Sequence, residues 1–264
     1  MEYQRNKEGI QVQDLKVDFK LHDKIIHAVK NVNLCVKKGN ITALVGESGS
    51  GKSVTSLAIM GLLSSNAIKT EGKIVIDGMD VTSLNKKKRQ EVNGSKVGMI
   101  FQDPVDSLNP LYTVGNQMTE GIIRHLKISK KEAKNKAMEY LKAVNLQNSE
   151  YLMKKYPFEL SGGMCQRVMI AIAISLEPDY LIADEPTTAL DVTVQKQILA
   201  EIYRLSREKS MGVLFITHDL GVVAEIADEV YIMQQGEIIE SGNVYDIFHH
   251  PVCDYTKTLL NAIL

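Results

Sequence analysis

Gly46-Glu47-Ser48-Gly49-Ser50-Gly51-Lys52-Ser53 crowds glycines, hydroxyls and one lysine into eight consecutive positions, directly after the apolar run 41–45. Glycines let backbone N–H groups converge on phosphate oxygens, and a helix opening at the end of the loop adds a field that favours an anion. The Lys52 ammonium would neutralise β- and γ-phosphates, and the Ser53 hydroxyl would enter the oxygen shell of Mg2+. The expected ligand of residues 46–53 is a nucleoside triphosphate.

Tyr180-Leu181-Ile182-Ala183-Asp184-Glu185 is the second stretch equipped for chemistry. Residues 180–183 read as a buried strand that delivers two carboxylates at its C-terminal end, where open α/β sheets place their ligands. Asp184 would hold Mg2+ through a water, and Glu185 would accept a proton from the water attacking a γ-phosphate. An acidic pair before Pro186 could also cap a helix. His218 follows the apolar residues 213–217, which read as the last parallel strand, so its imidazole is expected to reach the γ-phosphate.

These groups need a scaffold of alternating strands and helices. Residues 41–45, 97–101, 180–183 and 213–217 are short, apolar and rich in branched side chains, as buried parallel strands are. Residues 12–19, 32–36 and 73–76, the last followed by the Asp77-Gly78 turn, read as strands of an antiparallel edge sheet. Between Gln102 and Leu160 the strand signal gives way to helical spacing at Ala133, Ala137, Tyr140, Leu141 and Val144, with lysines opposite. The predicted fold is α/β: a single domain over 1–264 with a mainly parallel core, an antiparallel edge sheet and a helical lobe inserted at about 103–160.

Composition narrows the function classes. The chain has 264 residues, enough for a full core, and its 31 basic and 32 acidic side chains nearly cancel, which disfavours nucleic acid as a partner. The longest apolar stretch, 168–176, is too short to span a bilayer, and residues 1–9 are too polar for a signal peptide. Three cysteines without CxxC spacing argue against a disulfide framework or a structural zinc site, and a cytosolic chain is expected.

Leu160-Ser161-Gly162-Gly163-Met164-Cys165-Gln166-Arg167 resembles the LSGGQ-type signature of ATP-binding-cassette (ABC) ATPases. Around it the order and spacing of further motifs are similar to that family: Walker A at 46–53, the Q-loop Gln102, Walker B at 180–184, the D-loop Thr188-Ala189-Leu190-Asp191 and the switch His218. The resemblance spans nearly the whole chain. It implies a P-loop ABC cassette that hydrolyses ATP with Mg2+, each nucleotide lying between the Walker A of one subunit and the signature of the other. Ser161, Gly162, Gly163 and Gln166 would then complete the opposite subunit's site, and Asp191 would reach across the dimer. Ser53, Gln102 and Asp184 would serve the metal, and Gln102 would link the site to the helical lobe. The adenine-stacking aromatic aligns with Phe19, with Tyr3 or His27 as substitutes.

Met164 and Cys165 depart from the usual signature, and Cys165, in a first helical turn, is a candidate for a thiol whose alkylation blocks dimer closure. A small buried residue that packs the helix is the favoured reading of Cys165. Phe101-Gln102-Asp103-Pro104 with Ser107-Leu108-Asn109-Pro110 looks like the QDPxxSLNP run of peptide and nickel importers, and residues 240–264 are similar to the tail of those subunits, although Val252, Cys253 and Asp254 interrupt the match. That branch implies a motor at the cytoplasmic face of the membrane, docked beside Gln102 and the helical lobe on two permeases that an extracellular solute-binding protein feeds. The dimer partner, a second copy or a related ATPase, stays open, as does the cargo. A tail without cysteine clusters leans towards nickel or a metal chelate, with short peptides close behind and no iron–sulfur cluster expected. The lysine run at 127–155 and the pair His249-His250 read as solvated surface. A soluble ABC ATPase uncoupled from transport is the alternative function, and a P-loop kinase or GTPase would need no LSGG segment.

Overall fold

The structure, a computed structural model, describes residues 8–22, 24–187 and 191–262. Ten strands are found among them: β1 (Ile10–Leu21), β2 (Lys24–Val36), β3 (Ile41–Val45), β4 (Ala67–Ile76), β5 (Met79–Asp80), β6 (Val97–Ile100), β7 (Tyr180–Asp184), β8 (Gly212–Thr217), β9 (Glu229–Gln234) and β10 (Glu237–Asn243). The helices are α1 (Lys52–Met60), α2 (Lys86–Val92), α3 (Pro104–Ser107), α4 (Val114–Leu126), α5 (Lys130–Ala143), α6 (Ser149–Leu152), α7 (Gly162–Ile174), α8 (Val192–Glu208), α9 (Leu220–Ile226), α10 (Val244–His249) and α11 (Asp254–Asn261).

Strand order is β5-β4-β1-β2-β10-β9-β3-β8-β7-β6. The segment from β9 to β6 is parallel throughout. β3, β7 and β8 are buried along their whole length, which is why they read as continuous apolar runs. Alternation sorts their side chains between two layers. Leu181, Ala183, Val213 and Phe215 face the helical layer of α4, α5, α7 and α8. Leu44, Ile182, Leu214 and Ile216 face α1 and the antiparallel sheet of β1, β2, β4 and β5. The two sheets meet through one parallel pairing of β10 with β2, Glu237 opposite Asn31.

The inserted lobe is helical, as the spacing at Ala133 and its partners predicts. Ser129 caps α5 in a reciprocal box with Glu132, and Ala133, Ala137 and Leu141 form its fully buried stripe. The Asp77-Gly78 turn joins β4 to β5 with both residues at positive φ, the geometry of a tight hairpin.

Two elements were not anticipated. Residues 213–217 are not the last parallel strand, because β9 follows and pairs parallel with β3 on the other side. β10 then returns antiparallel through a Gln235-Gly236 turn at φ 47° and 86°. The apolar run 230–233 before that turn carried the signal for β9. β10 carried little, since Glu237 and Glu240 break its pattern.

Candidate functional site

The loop 46–53 leaves β3 and enters α1 at the C-terminal edge of the parallel sheet. Gly46 is required by close approach, because a Cβ there would lie 2.1 Å from the Met233 carbonyl oxygen of β9. Gly51, the residue before α1, has φ 109° and would press a Cβ to 2.6 Å from the Ala28 carbonyl oxygen. Lys52 is 5 % exposed, and its Nζ donates to the carbonyls of Gly46 at 2.7 Å and Glu47 at 2.8 Å, curling the loop around its ammonium. Burial pushes this ammonium's pKa down, against the pull of Glu185, Asp184 and Glu47.

A cavity of about 160 Å³ opens over the loop, lined by Ser48, Gly49, Lys52, Ser53, Gln102 and Glu185 among others. Ser50 is buried below it, and Gly236 of the β9–β10 turn donates its N–H to the Ser50 carbonyl at 2.9 Å. The loop, a helix N-terminus and a lysine thus converge with a carboxylate on one concave site suited to a polyphosphate.

Asp184 closes β7 and is 3 % exposed. The hydroxyl of Ser56 donates to its Oδ2 at 3.4 Å, while Oδ1 is buried with no hydrogen-bond partner. Burial raises the Asp184 pKa, and the Ser53 hydroxyl and the Lys52 charge oppose the rise. An orphaned, buried carboxylate oxygen beside the Ser53 hydroxyl is a hard oxygen set that could hold a divalent cation such as Mg2+.

Glu185 stands one residue beyond the strand in left-handed conformation, φ 47°, with its N–H donated to Ile216 of β8 at 2.9 Å. This rare backbone turns its carboxylate away from Asp184's burial and into the cavity. Gln102 Nε2 donates to Glu185 Oε2 at 3.3 Å, and His218 Nδ1 lies 3.1 Å from Oε1. Three residues predicted from separate strand ends therefore meet on one carboxylate.

Ser161 caps α7, accepting from the Met164 N–H at 3.3 Å, and Ser161 and Gly162 are exposed while Gly163 is half-buried. Within one chain this turn does not line the cavity over 46–53. Asp191 is exposed and caps α8 through the N–H groups of Thr193 and Val194. Thr188, Ala189 and Leu190 of the expected D-loop lie outside the described residues, as does Tyr3.

Three residues singled out in the sequence stand away from the cavity wall. Gln166 is 1 % exposed and donates to the Pro186 carbonyl at 2.6 Å. It ties the signature helix to the strand end carrying Glu185. Cys165 is equally buried, its Sγ 3.4 Å from the Pro157 carbonyl, and burial raises its thiol pKa. The inward face of α7 outweighs the helix field there, which makes this thiol a packing group. Phe19 is half-buried against the core between α1 and the antiparallel sheet and does not line the cavity; His27 is paired with Asp18 at 2.8 Å. Residues that sequence reasoning passed over include Ala28 and Val54 in the cavity wall and Ser56 on Asp184.

The sequence model described as ABC transporter matches residues 29–188, more than half of the chain. This chain belongs to the ABC transporter family. The oligopeptide transport ATP-binding protein AppD of Bacillus subtilis is 48 % identical over 255 residues, covering 96 % of this cassette and 78 % of AppD. The dipeptide transport ATP-binding protein DppD of the same organism is 46 % identical over 96 % of this chain and 76 % of DppD. The glutathione import ATP-binding protein GsiA of Salmonella typhimurium is 46 % identical over 98 % of the chain, which spans 42 % of GsiA. Among solved structures, a dimeric ATP-binding cassette in a post-hydrolysis state with ADP and Pi superposes with a TM-score of 0.81 at 30 % identity, covering 89 % of this chain and 98 % of that one. The cassette is an ATPase. No helix among the described residues is long and apolar enough to cross a membrane.

Proposed function

We propose that this chain is the ATP-hydrolysing motor of an importer for short peptides, acting at the cytoplasmic face of the membrane. The observation that carries the reading is the 48 % identity to an oligopeptide transport ATP-binding protein over 96 % of the chain. The loop 46–53 and Lys52 bind the triphosphate. Glu185 accepts the proton of the attacking water, with Gln102 and His218 holding its two oxygens in line. Ser53 and Asp184 would hold Mg2+, which would supply charge to offset that developing on the transferred phosphoryl group.

A second subunit completes the site. Ser161 and Gly162 face solvent at the N-terminus of α7, free to meet a γ-phosphate bound by a partner copy or a related ATPase, and the exposed Asp191 lies on the same subunit's outer surface. Closure on ATP and reopening after hydrolysis then give the switch that drives transport.

The lobe exposes Val105, Leu111, Tyr112 and Phe158, the last stacked on Tyr156 with centroids 5.4 Å apart. Such an apolar surface suits an amphipathic permease segment, and two permeases served by an extracellular solute-binding protein make up the proposed assembly. The test is uptake of a labelled tripeptide, with nickel in parallel, in cells whose only copy carries Lys52→Ala. Loss of peptide uptake supports the reading. Loss of nickel uptake alone makes it a metal importer, and unchanged uptake of both overturns the transport role.

A further inference from the structure

The C-terminal segment reaches back to the phosphate loop. The Glu47 N–H donates to the Tyr255 hydroxyl at 3.2 Å, across 208 positions of sequence. The peptide unit that supplies this N–H is the one whose carbonyl, that of Gly46, accepts from Lys52 Nζ at 2.7 Å. One peptide plane is therefore held at both ends, by the phosphate-binding lysine on one side and by α11 on the other.

Tyr255 is itself well placed. Glu240 of β10 accepts the N–H groups of Val252 at 2.7 Å and Cys253 at 3.1 Å, fixing the chain as it enters α11. Tyr255, Leu259 and Leu260 pack against a cluster containing Val45 of β3, Ile232 of β9 and Ile247 of α10. The same β9–β10 hairpin abuts Gly46 through the Met233 carbonyl and bonds Ser50 through Gly236. Tail, hairpin and loop thus form a closed ring of contacts around the first turn of the nucleotide site.

We propose that Tyr255 is a positioning residue for nucleotide binding: its hydroxyl orients the Gly46–Glu47 peptide and, through it, the Lys52 ammonium. Without this acceptor the peptide is free to rotate, and the Gly46 carbonyl no longer presents a fixed partner to Lys52. A single neutral hydrogen bond sets the scale, about a 2- to 10-fold change in affinity. The inference rests on nucleotide binding at residues 46–53, so parental MgATP binding measured alongside separates failure of the coupling from failure of the site.

The experiment is a double-mutant cycle read by titration with a fluorescent ATP analogue in the presence of Mg2+. Tyr255→Phe keeps the ring and its packing and removes the acceptor. Glu47→Pro removes the donor. Tyr255→Phe is expected to weaken binding about 2- to 10-fold, with the loss appearing in KM for ATP more than in kcat, and to have no further effect in the Glu47→Pro background. Unchanged affinity in Tyr255→Phe, or an equal loss in both backgrounds, would overturn the proposal.

Discussion

His218 Nδ1 sits 3.1 Å from Glu185 Oε1, and Gln102 holds the other oxygen of that carboxylate at 3.3 Å. An ionised carboxylate can only accept, so the imidazole must carry its proton on Nδ1 for this contact to be a hydrogen bond. His218→Ala should therefore lower kcat by about 10- to 100-fold through a misaligned base, with nucleotide affinity largely kept. Steady-state phosphate release at saturating ATP checks this.

Asp184 should show the opposite split between stability and function. Burial raises its pKa, so the folded chain binds this proton more readily than the unfolded chain does. Its ionised form accordingly costs stability at neutral pH, and the cost fades as pH falls through the raised value. Asp184→Asn should leave the nucleotide-free melting temperature equal or higher at pH 7.5, and should abolish the extra stabilisation by MgATP over ATP with chelator. Thermal melts under the three conditions test both halves.

Ser161→Arg places a long cation where the turn is exposed and touches nothing in its own cavity. Binding of the fluorescent ATP analogue should be unchanged within about twofold, while hydrolysis falls to background because the partner's site is spoiled. Hydrolysis at the parental rate would show that the signature turn is not used.

Cys165 should be silent to thiol reagents in the native chain. With 1 % exposure and a raised thiol pKa, it is expected to react with a maleimide only after denaturation, whereas the half-buried Cys35 and Cys253 react earlier. Peptide mapping of labelled protein reads the order directly.

The sequence displayed the chemistry of this site better than its support. Asp184, Glu185 and His218 announce themselves because each sits at or just past the end of an apolar run, and Lys52 because it closes the glycine-rich loop that follows another; a parallel sheet collects such ends on one edge. The burial of Gln166 was not legible for the converse reason: which face of α7 turns inward is decided by packing against β6, β7 and the lobe, and a motif string carries no such direction. Gly236 and Tyr255 were invisible as loop supports, since each acts through a backbone group contributed by a segment far away in sequence. Phe19 shows the same limit, because an edge-strand aromatic can face a ligand or the core and its neighbours in the sequence do not choose between them.

The most direct measurement is single-turnover phosphate release by Glu185→Gln, with ATP binding measured on the same preparation. Glutamine keeps the shape, so nucleotide should still bind, while loss of the base should slow release by about 10²- to 10⁴-fold. Release at the parental rate with ATP bound would contradict the assignment of Glu185 as the group that takes the proton.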